Sequence, residues 1–166
     1  ILHFDGLVQP WLKEAAKRWV RARLLSSTVP SSMRGYLQHL QAFSGWLDER
    51  APEVSSPAAV TRELLEDFML AVRASDLAGG TKWSRIAALR SFLEEQREDG
   101  LAGLQRGATI YAREPPRPEA RLPRGIEAFV FDQFVDPANL ALLPSEQHRT
   151  VVLVLAMTGV RVSSVT

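Results

Sequence analysis

Between Tyr111 and Arg124 the chain reads YAREPPRPEARLPR, with four prolines and four arginines and almost nothing to bury. Each proline removes a backbone donor and pushes the residue before it out of the helical region, so neither a continuous helix nor a central strand can pass through. The stretch predicts an extended basic linker over 111–124. It divides the chain into residues 1–110, long enough for one small domain, and residues 125–166, the opening part of a second.

Before the linker, apolar residues recur at helical spacing in four segments. From about Gln9 to Leu25 the recurrent positions are Leu12, Ala15, Ala16, Trp19 and Arg23, with Lys13, Lys17 and Arg21 opposite. Ser26 to Pro30 supplies breakers and caps. A second helix is expected from Pro30 or Ser31 to Arg50, with Tyr36, Leu40, Phe43 and Leu47 on one stripe and Pro52 closing it. Thr61 is placed as N-cap of a third helix to Ser75, with Glu63 and Glu66 near its positive end and Leu64, Leu65, Phe68 and Val72 inward. Gly79 and Gly80 read as a break. Thr81 to Glu98 is the fourth helix, with Ile86, Leu89 and Leu93 inward and Gly100 as its stop. Short loops between four helices predict a small antiparallel bundle. After the linker, Ile126, Phe129, Val130 and Phe134 begin a new apolar pattern, and a last helix is expected over Ser145 to Met157.

Twenty basic and nineteen acidic residues nearly cancel, but they are segregated. Lys13 to Arg34 holds six basic residues against Glu14 alone; Lys82, Arg85 and Arg90 lie in an acid-free run from Gly79 to Phe92; Arg113, Arg117, Arg121 and Arg124 follow in the linker. Acids gather at 48–53, 63–67, 94–99 and 132–136. This predicts a basic face and an acidic back, although any single run also fits a solvated helix face.

The absence of cysteine excludes a disulfide framework and thiolate chemistry and fits a reducing cytoplasm. His3, His39 and His148 are far apart, so no metal site is expected, and no P-loop, dinucleotide fingerprint or nucleophile elbow occurs. No cofactor is expected. Glu94 and Glu95 read as solvated acids without acid/base work. Ile1 follows no signal-peptide pattern, and the absence of an initiator Met together with the stop at Thr166 leads to the expectation of a fragment.

The apolar run Val151 to Met157 is far shorter than the roughly 20 residues a membrane span needs, so it reads as core. It leads into Thr158-Gly159-Val160-Arg161-Val162-Ser163. An arginine there cannot shed its proton, so it must reach solvent, pair with a carboxylate or face an anion.

A helical domain, a basic proline-rich linker and an apolar helix ending in TGVRVS together resemble the tyrosine recombinases, the phage-integrase superfamily. Thr158, Gly159, Arg161 and Ser163 match the family's Thr-Gly-Leu-Arg-Ile-Ser-Glu type motif, with Ser164 where Glu is common. Ser32, Tyr36, Leu40, Phe43 and Leu47 fit one helix of the family's SAM-like core-binding domain. Thr81, Arg85, Leu89, Arg90 and Phe92 fit a later one, and Leu122 to Arg124 resembles the usual start of the catalytic domain. The implied fold is mainly α: a four-helix SAM-like core-binding bundle, a linker and the first helices of a truncated α/β catalytic domain.

The resemblance implies that the parent protein cuts and rejoins DNA strands through a 3'-phosphotyrosine intermediate, with Arg161 the first of two arginines on the scissile phosphate. A planar fork of fixed donors suits that role. The family's later lysine, His-x-x-Arg, second His or Trp and tyrosine nucleophile have no counterpart in these residues, so the chain alone is expected to be inactive. Double-stranded DNA is the implied partner, together with further protomers in a tetramer on DNA, in the cytoplasm and associated with the nucleoid, the origin being prokaryotic or a phage or mobile element. Expected DNA-contacting residues are Ser31, Ser32 and Arg34; Lys82, Trp83, Arg85 and Arg90; and Arg113, Arg117, Arg121 and Arg124. Lys82 and Arg85 lead. Trp83 also fits a half-buried core position, and Arg90 a pair with Glu94. The rival readings are a helical protein-interaction module and a helix-turn-helix regulator.

Overall fold

The computed structural model describes residues 2–26, 29–117 and 126–159. Contacts divide the chain into two units, Ile1–Ala120 and Arg121–Thr166, each taken by itself. The described residues contain helices and no strand. None of these helices is long and apolar enough to cross a membrane.

In the first unit, α1 (Pro10–Leu25) and α2 (Pro30–Arg50) both begin with proline, whose missing N–H costs nothing in a first turn where that donor has no helical partner. α1 buries Leu12, Ala15, Ala16, Trp19 and Val20; α2 buries Met33, Leu37, Leu40, Phe43 and Leu47. A short 3₁₀ turn at Pro57–Ala59 precedes α3 (Arg62–Ala74). Thr61 caps α3 as its sequence position predicts, its side chain accepting from the Leu64 N–H at 3.2 Å. Leu65, Phe68, Met69 and Val72 are the buried face of α3, with Leu64 only half-buried.

α4 (Gly79–Glu98) corrects one boundary. Gly79 and Gly80 open the helix; the break falls before them. Thr81 and Lys82 donate their N–H groups to the Ala78 carbonyl at 2.8 and 3.0 Å, closing the first turn. At the other end Gly100 takes a left-handed φ of 71°. Its N–H donates to Arg97 at 3.3 Å and that of Leu101 to Gln96 at 2.8 Å, a Schellman stop.

α4 packs against α1, α2 and α3, burying Ile86, Leu89, Phe92 and Leu93. Trp19 meets Tyr36 and Phe92 edge-on, each at 5.4 Å between ring centres, and Phe43 meets Phe68 at 4.9 Å. Buried Ser44 ties the approach to α1 onto α2. Its hydroxyl accepts from the Val8 N–H at 2.7 Å and donates to Gln9 Oε1 at 2.6 Å.

Glu95 is a second correction, since it is not a solvated acid. It accepts from the Trp19 indole at 2.8 Å and from Arg23 Nε at 2.9 Å, and also pairs with Arg23 Nη2. The fully buried Trp19 thereby satisfies its one polar atom, and the cation on the buried stripe of α1 finds its carboxylate. Burial opposes ionisation of Glu95, but the hydrogen bonds from Arg23 and Trp19 outweigh it and hold the carboxyl below its usual range.

The second unit comprises α5 (Ala128–Val135), α6 (Pro137–Ala141) and α7 (Glu146–Thr158). Asp136 caps α6 through the Ala138 N–H at 2.7 Å, and Ser145 caps α7 through the His148 N–H at 3.4 Å. α7 starts one residue after the expected Ser145 and ends one after Met157, closed by Gly159 with φ 64°. None of its described residues is fully buried, and Phe129, Phe134 and Leu142 are exposed.

Replacing Glu95 by alanine leaves the buried indole without its acceptor and Arg23 with only the Ser91 hydroxyl, and should lower unfolding free energy by about 1–3 kcal/mol in denaturant melts. Because Glu95 titrates lower in the folded chain than unfolded, its stabilisation is complete above the unfolded carboxylate pKa. It drains away as pH falls through the lowered folded value. Glu95→Gln should flatten that acid limb of the stability curve; an unchanged limb would show that Glu95 does not drive it.

Candidate nucleic-acid interface

Two helices bring the leading sequence candidates together. The first turns of α2 carry Ser31, Ser32 and Arg34, all exposed. The first half of α4 carries Lys82, Trp83 and Arg85, and α2 and α4 form the most extensive helix–helix packing of the unit. Along their junction runs a shallow cleft of about 210 Å³ lined by Ser32, Gly35, Tyr36, His39, Trp83, Ser84, Ala87 and Ala88. Small side chains at Gly35, Ser84, Ala87 and Ala88 let a groove form where two helices pack. Ser32 and Trp83, 51 residues apart in sequence, share its wall.

Trp83 is outside the core, with 43% of its surface exposed. It presents a broad apolar face beside a cationic helix. Ser31 and Ser32 lie in the first turn of α2, where no side chain caps the helix; Pro30 has no N–H and those of Ser32 and Met33 donate to the Val29 carbonyl at 3.0 and 3.3 Å, so this end offers an anion the exposed serine hydroxyls and the positive end of the helix dipole.

The cations sort by what already neutralises them. Lys82 donates to the Arg73 carbonyl at 2.8 Å, capping the C-terminal turn of α3. Arg90 pairs with Glu94 one turn on, at 2.9 Å, the alternative its spacing offered. Arg85 differs: it forms no ion pair among the described residues, and its Nε is buried without an acceptor. That atom is shielded from any outside ligand, as are the Nε atoms of Arg97 and Arg149, so what Arg85 offers an external anion is its charge and its Nη groups, which no carboxylate among the described residues engages. His39, on the cleft wall, is held below the usual histidine pKa first by burial and then by the charge of Arg85. The histidine is therefore neutral at physiological pH, and the positive charge acting on this wall comes from Arg85, which is not itself one of the lining residues.

The linker arginines are only partly described. Arg113 lies over the Tyr111 ring at 5.2 Å and Arg117 is exposed. Arg121, Arg124 and Arg161 lie outside the described residues. So does the motif after Gly159, whose left-handed turn ends α7 at the start of TGVRVS. Among the described residues no cluster of His, Cys, Asp or Glu could hold a metal ion.

Sequence reasoning missed the long-range partners of Arg23 and Arg62. Arg62 pairs with Glu114 and Glu66, and Pro115 beside Glu114 is buried, so the first residues of the expected linker are packed on the helical unit. The one usable signal was the placement of Arg23 on the apolar stripe of α1, which demanded a partner without naming it.

The family model "Phage integrase, N-terminal SAM-like domain" matches residues 16–99. A protein named Tyrosine recombinase XerC, from Methylobacterium nodulans, is 32% identical over 123 residues, covering 69% of this chain and 36% of that protein. The chain thus spans little more than a third of that relative's length. No solved structure matches.

Titration of His39 by heteronuclear NMR should give a pKa below the usual histidine value, and Arg85→Met should move it part of the way back up. A His39 pKa that ignores the loss of Arg85 would mean the two groups are not coupled across the cleft.

Proposed function

The chain belongs to the tyrosine recombinase (phage integrase) superfamily, and on that premise we propose that it is the duplex-DNA-binding part of a site-specific recombinase. The observation that carries this reading is Arg85, a half-buried guanidinium with no ion pair among the described residues, in an acid-free stretch of α4 beside an open α2–α4 cleft. Phosphate oxygens supply the acceptors it lacks. Ser31 and Ser32 at the start of α2 approach a neighbouring phosphate, and Arg34, Arg113 and Arg117 extend the positive track. Trp83 packs its exposed ring against sugar or base edges at the groove rim. Lys82 and Arg90 contribute less than their charges suggest, because each must first leave a protein partner.

In this reading residues 1–110 form the core-binding domain, 111–124 the linker that follows the backbone together with Arg121 and Arg124, and 125–166 the start of the catalytic domain. Arg161 is the first phosphate-binding arginine of that domain. In the full recombinase it would stabilise charge on the nonbridging oxygens while a tyrosine hydroxyl attacks phosphorus, with further protomers completing a tetramer. The tyrosines in these 166 residues, Tyr36 and Tyr111, both belong to the helical unit. The chain by itself therefore cleaves nothing, and a suicide substrate should yield no covalent protein–DNA product.

The test is fluorescence anisotropy with a random-sequence duplex at two salt concentrations. Binding should weaken steeply with salt, and Arg85→Ala should cost about tenfold and lower the log–log salt slope by about 1. Lys82→Ala should cost less than Arg85→Ala. No binding at low salt, or equal affinity for the Arg85 variant, would refute the assignment and favour an acidic protein partner for this face.

A further inference from the structure

The residues after α4 are pinned to the helical unit by more polar contacts than any other irregular segment among the described residues. Gln105 donates to the Ala58 carbonyl and Arg97 to the Ala108 carbonyl, each at 2.7 Å, and Ala108 and Ile110 are buried. Arg62 on α3 is the centre. Its Nε donates to Glu66 at 2.7 Å, its Nη1 to Glu114 Oε2 at 2.9 Å and to the Thr109 carbonyl, and its Nη2 to Glu114 Oε1. Glu114 also accepts from the Tyr111 N–H at 2.7 Å, and its carbonyl accepts from Arg73 at 2.7 Å. The Tyr111 ring lies between two guanidinium groups, Arg62 at 5.1 Å and Arg113 at 5.2 Å.

This is a bidentate pair of limited exposure, with 24% of the Arg62 side chain and 17% of that of Glu114 accessible, reinforced on both sides. A fold that needed only a tether between units could begin it at Gly100, where α4 stops. Instead the chain is held for a further stretch, through Glu114 and the buried Pro115, which lie between Arg113 and Arg117 in sequence.

We propose that Arg62 and Glu114 are positioning residues for DNA binding: they hold Arg113 and Arg117 at one place on the helical unit, so that two backbone contacts depend on residues that do not touch DNA. The proposal rests on the DNA-binding reading above. The physical reason is entropic, since an arginine on a pinned segment gives up little freedom on reaching a phosphate, whereas one on a loose segment must be ordered at that moment.

Net charge makes the test sharp. Glu114→Ala removes an acid, which by charge alone should tighten binding to a duplex, whereas loss of the latch should weaken it. Arg62→Lys keeps the charge but offers one compact ammonium where four acceptor atoms of three residues converge, and should act in the same direction. Hydrogen exchange on the full 166-residue chain should show residues 108–114 exchanging about tenfold faster in both variants, with α1, α2 and α4 still protected. Affinity for a random-sequence duplex should fall about threefold or more. The double variant Arg113→Ala/Arg117→Ala, which keeps the Arg62–Glu114 pair, should weaken binding and lower the salt slope by about 2 while most of the protection of residues 108–114 is retained.

Unchanged exchange in the Glu114 and Arg62 variants would overturn the latch. Faster exchange with equal or tighter DNA binding would overturn the positioning role while the DNA-binding reading stood. If the double variant bound as tightly as the parent, the two arginines would not be DNA contacts and the proposal would fall. If the parent bound no duplex at low salt, the function reading would fall and the positioning role with it, the exchange data alone then deciding whether the latch exists.

Discussion

The helical unit is organised by what α4 must do on its several sides. Its apolar positions Ile86, Leu89, Phe92 and Leu93 are buried where α1, α2 and α3 converge on it, and removing any of these contacts would expose large aliphatic and aromatic surface worth roughly 25 cal/mol per Å². At its N-terminal half this leaves Gly79, Gly80 and Trp83 exposed and Lys82 and Arg85 half-buried. Lys82, Trp83 and Arg85 fall there because a helix with so many inward positions has few outward ones. The candidate interface is therefore a consequence of the packing: the same α2–α4 contact that closes the core forms the cleft wall.

Local signals carried most of the helical unit. Thr61 as a cap and Gly100 as a stop each act within a few residues, and the stripes of α1 and α2 follow directly from helical spacing. Gly79 and Gly80 were misread for a related reason. Glycine is poor in a helix interior, but in a first turn the chain has no helical acceptor to lose and the conformational cost is small, so α4 could start there. The partnership of Glu95 with Arg23 spans 72 residues and that of Glu114 with Arg62 spans 52, and spacing arguments have no purchase at such distances. Glu94 and Glu95 are adjacent and chemically identical, yet one pairs along its own helix and the other satisfies a buried tryptophan. Only the direction in which each points decides that.

The same distinction governs the electrostatics. A count of basic residues treats Arg23, Arg62, Arg85 and Arg90 alike, and the formal net charge of +1 hides all of them. In the fold, Arg23, Arg62 and Arg90 are already matched by carboxylates, so an outside anion gains little from them without first breaking a pair. Arg85 has no such competitor among the described residues, and the neutral state of His39 beside it adds no rival cation or acceptor charge. Charge segregation along the sequence is thus a weak guide to a binding face; unpaired charge is the stronger one, and it depends on the packing.

The two units differ in how much of their stability they can supply themselves. The first closes a core around Trp19, Phe43, Phe68 and Phe92, all essentially inaccessible. In the second, three short helices leave Phe129 and Phe134 more than half exposed, and the best-covered residues of α7 are only half-buried. The described residues of these three helices bury little of their apolar surface against one another, and so contribute little to offset the entropy of ordering them. Cooperative unfolding of the chain should therefore report on the first unit, and substitutions at Glu95, Arg62 or Glu114 act on that transition. The expected phosphate-binding role of Arg161 rests on the other unit, whose apolar faces need more cover than its own three helices provide.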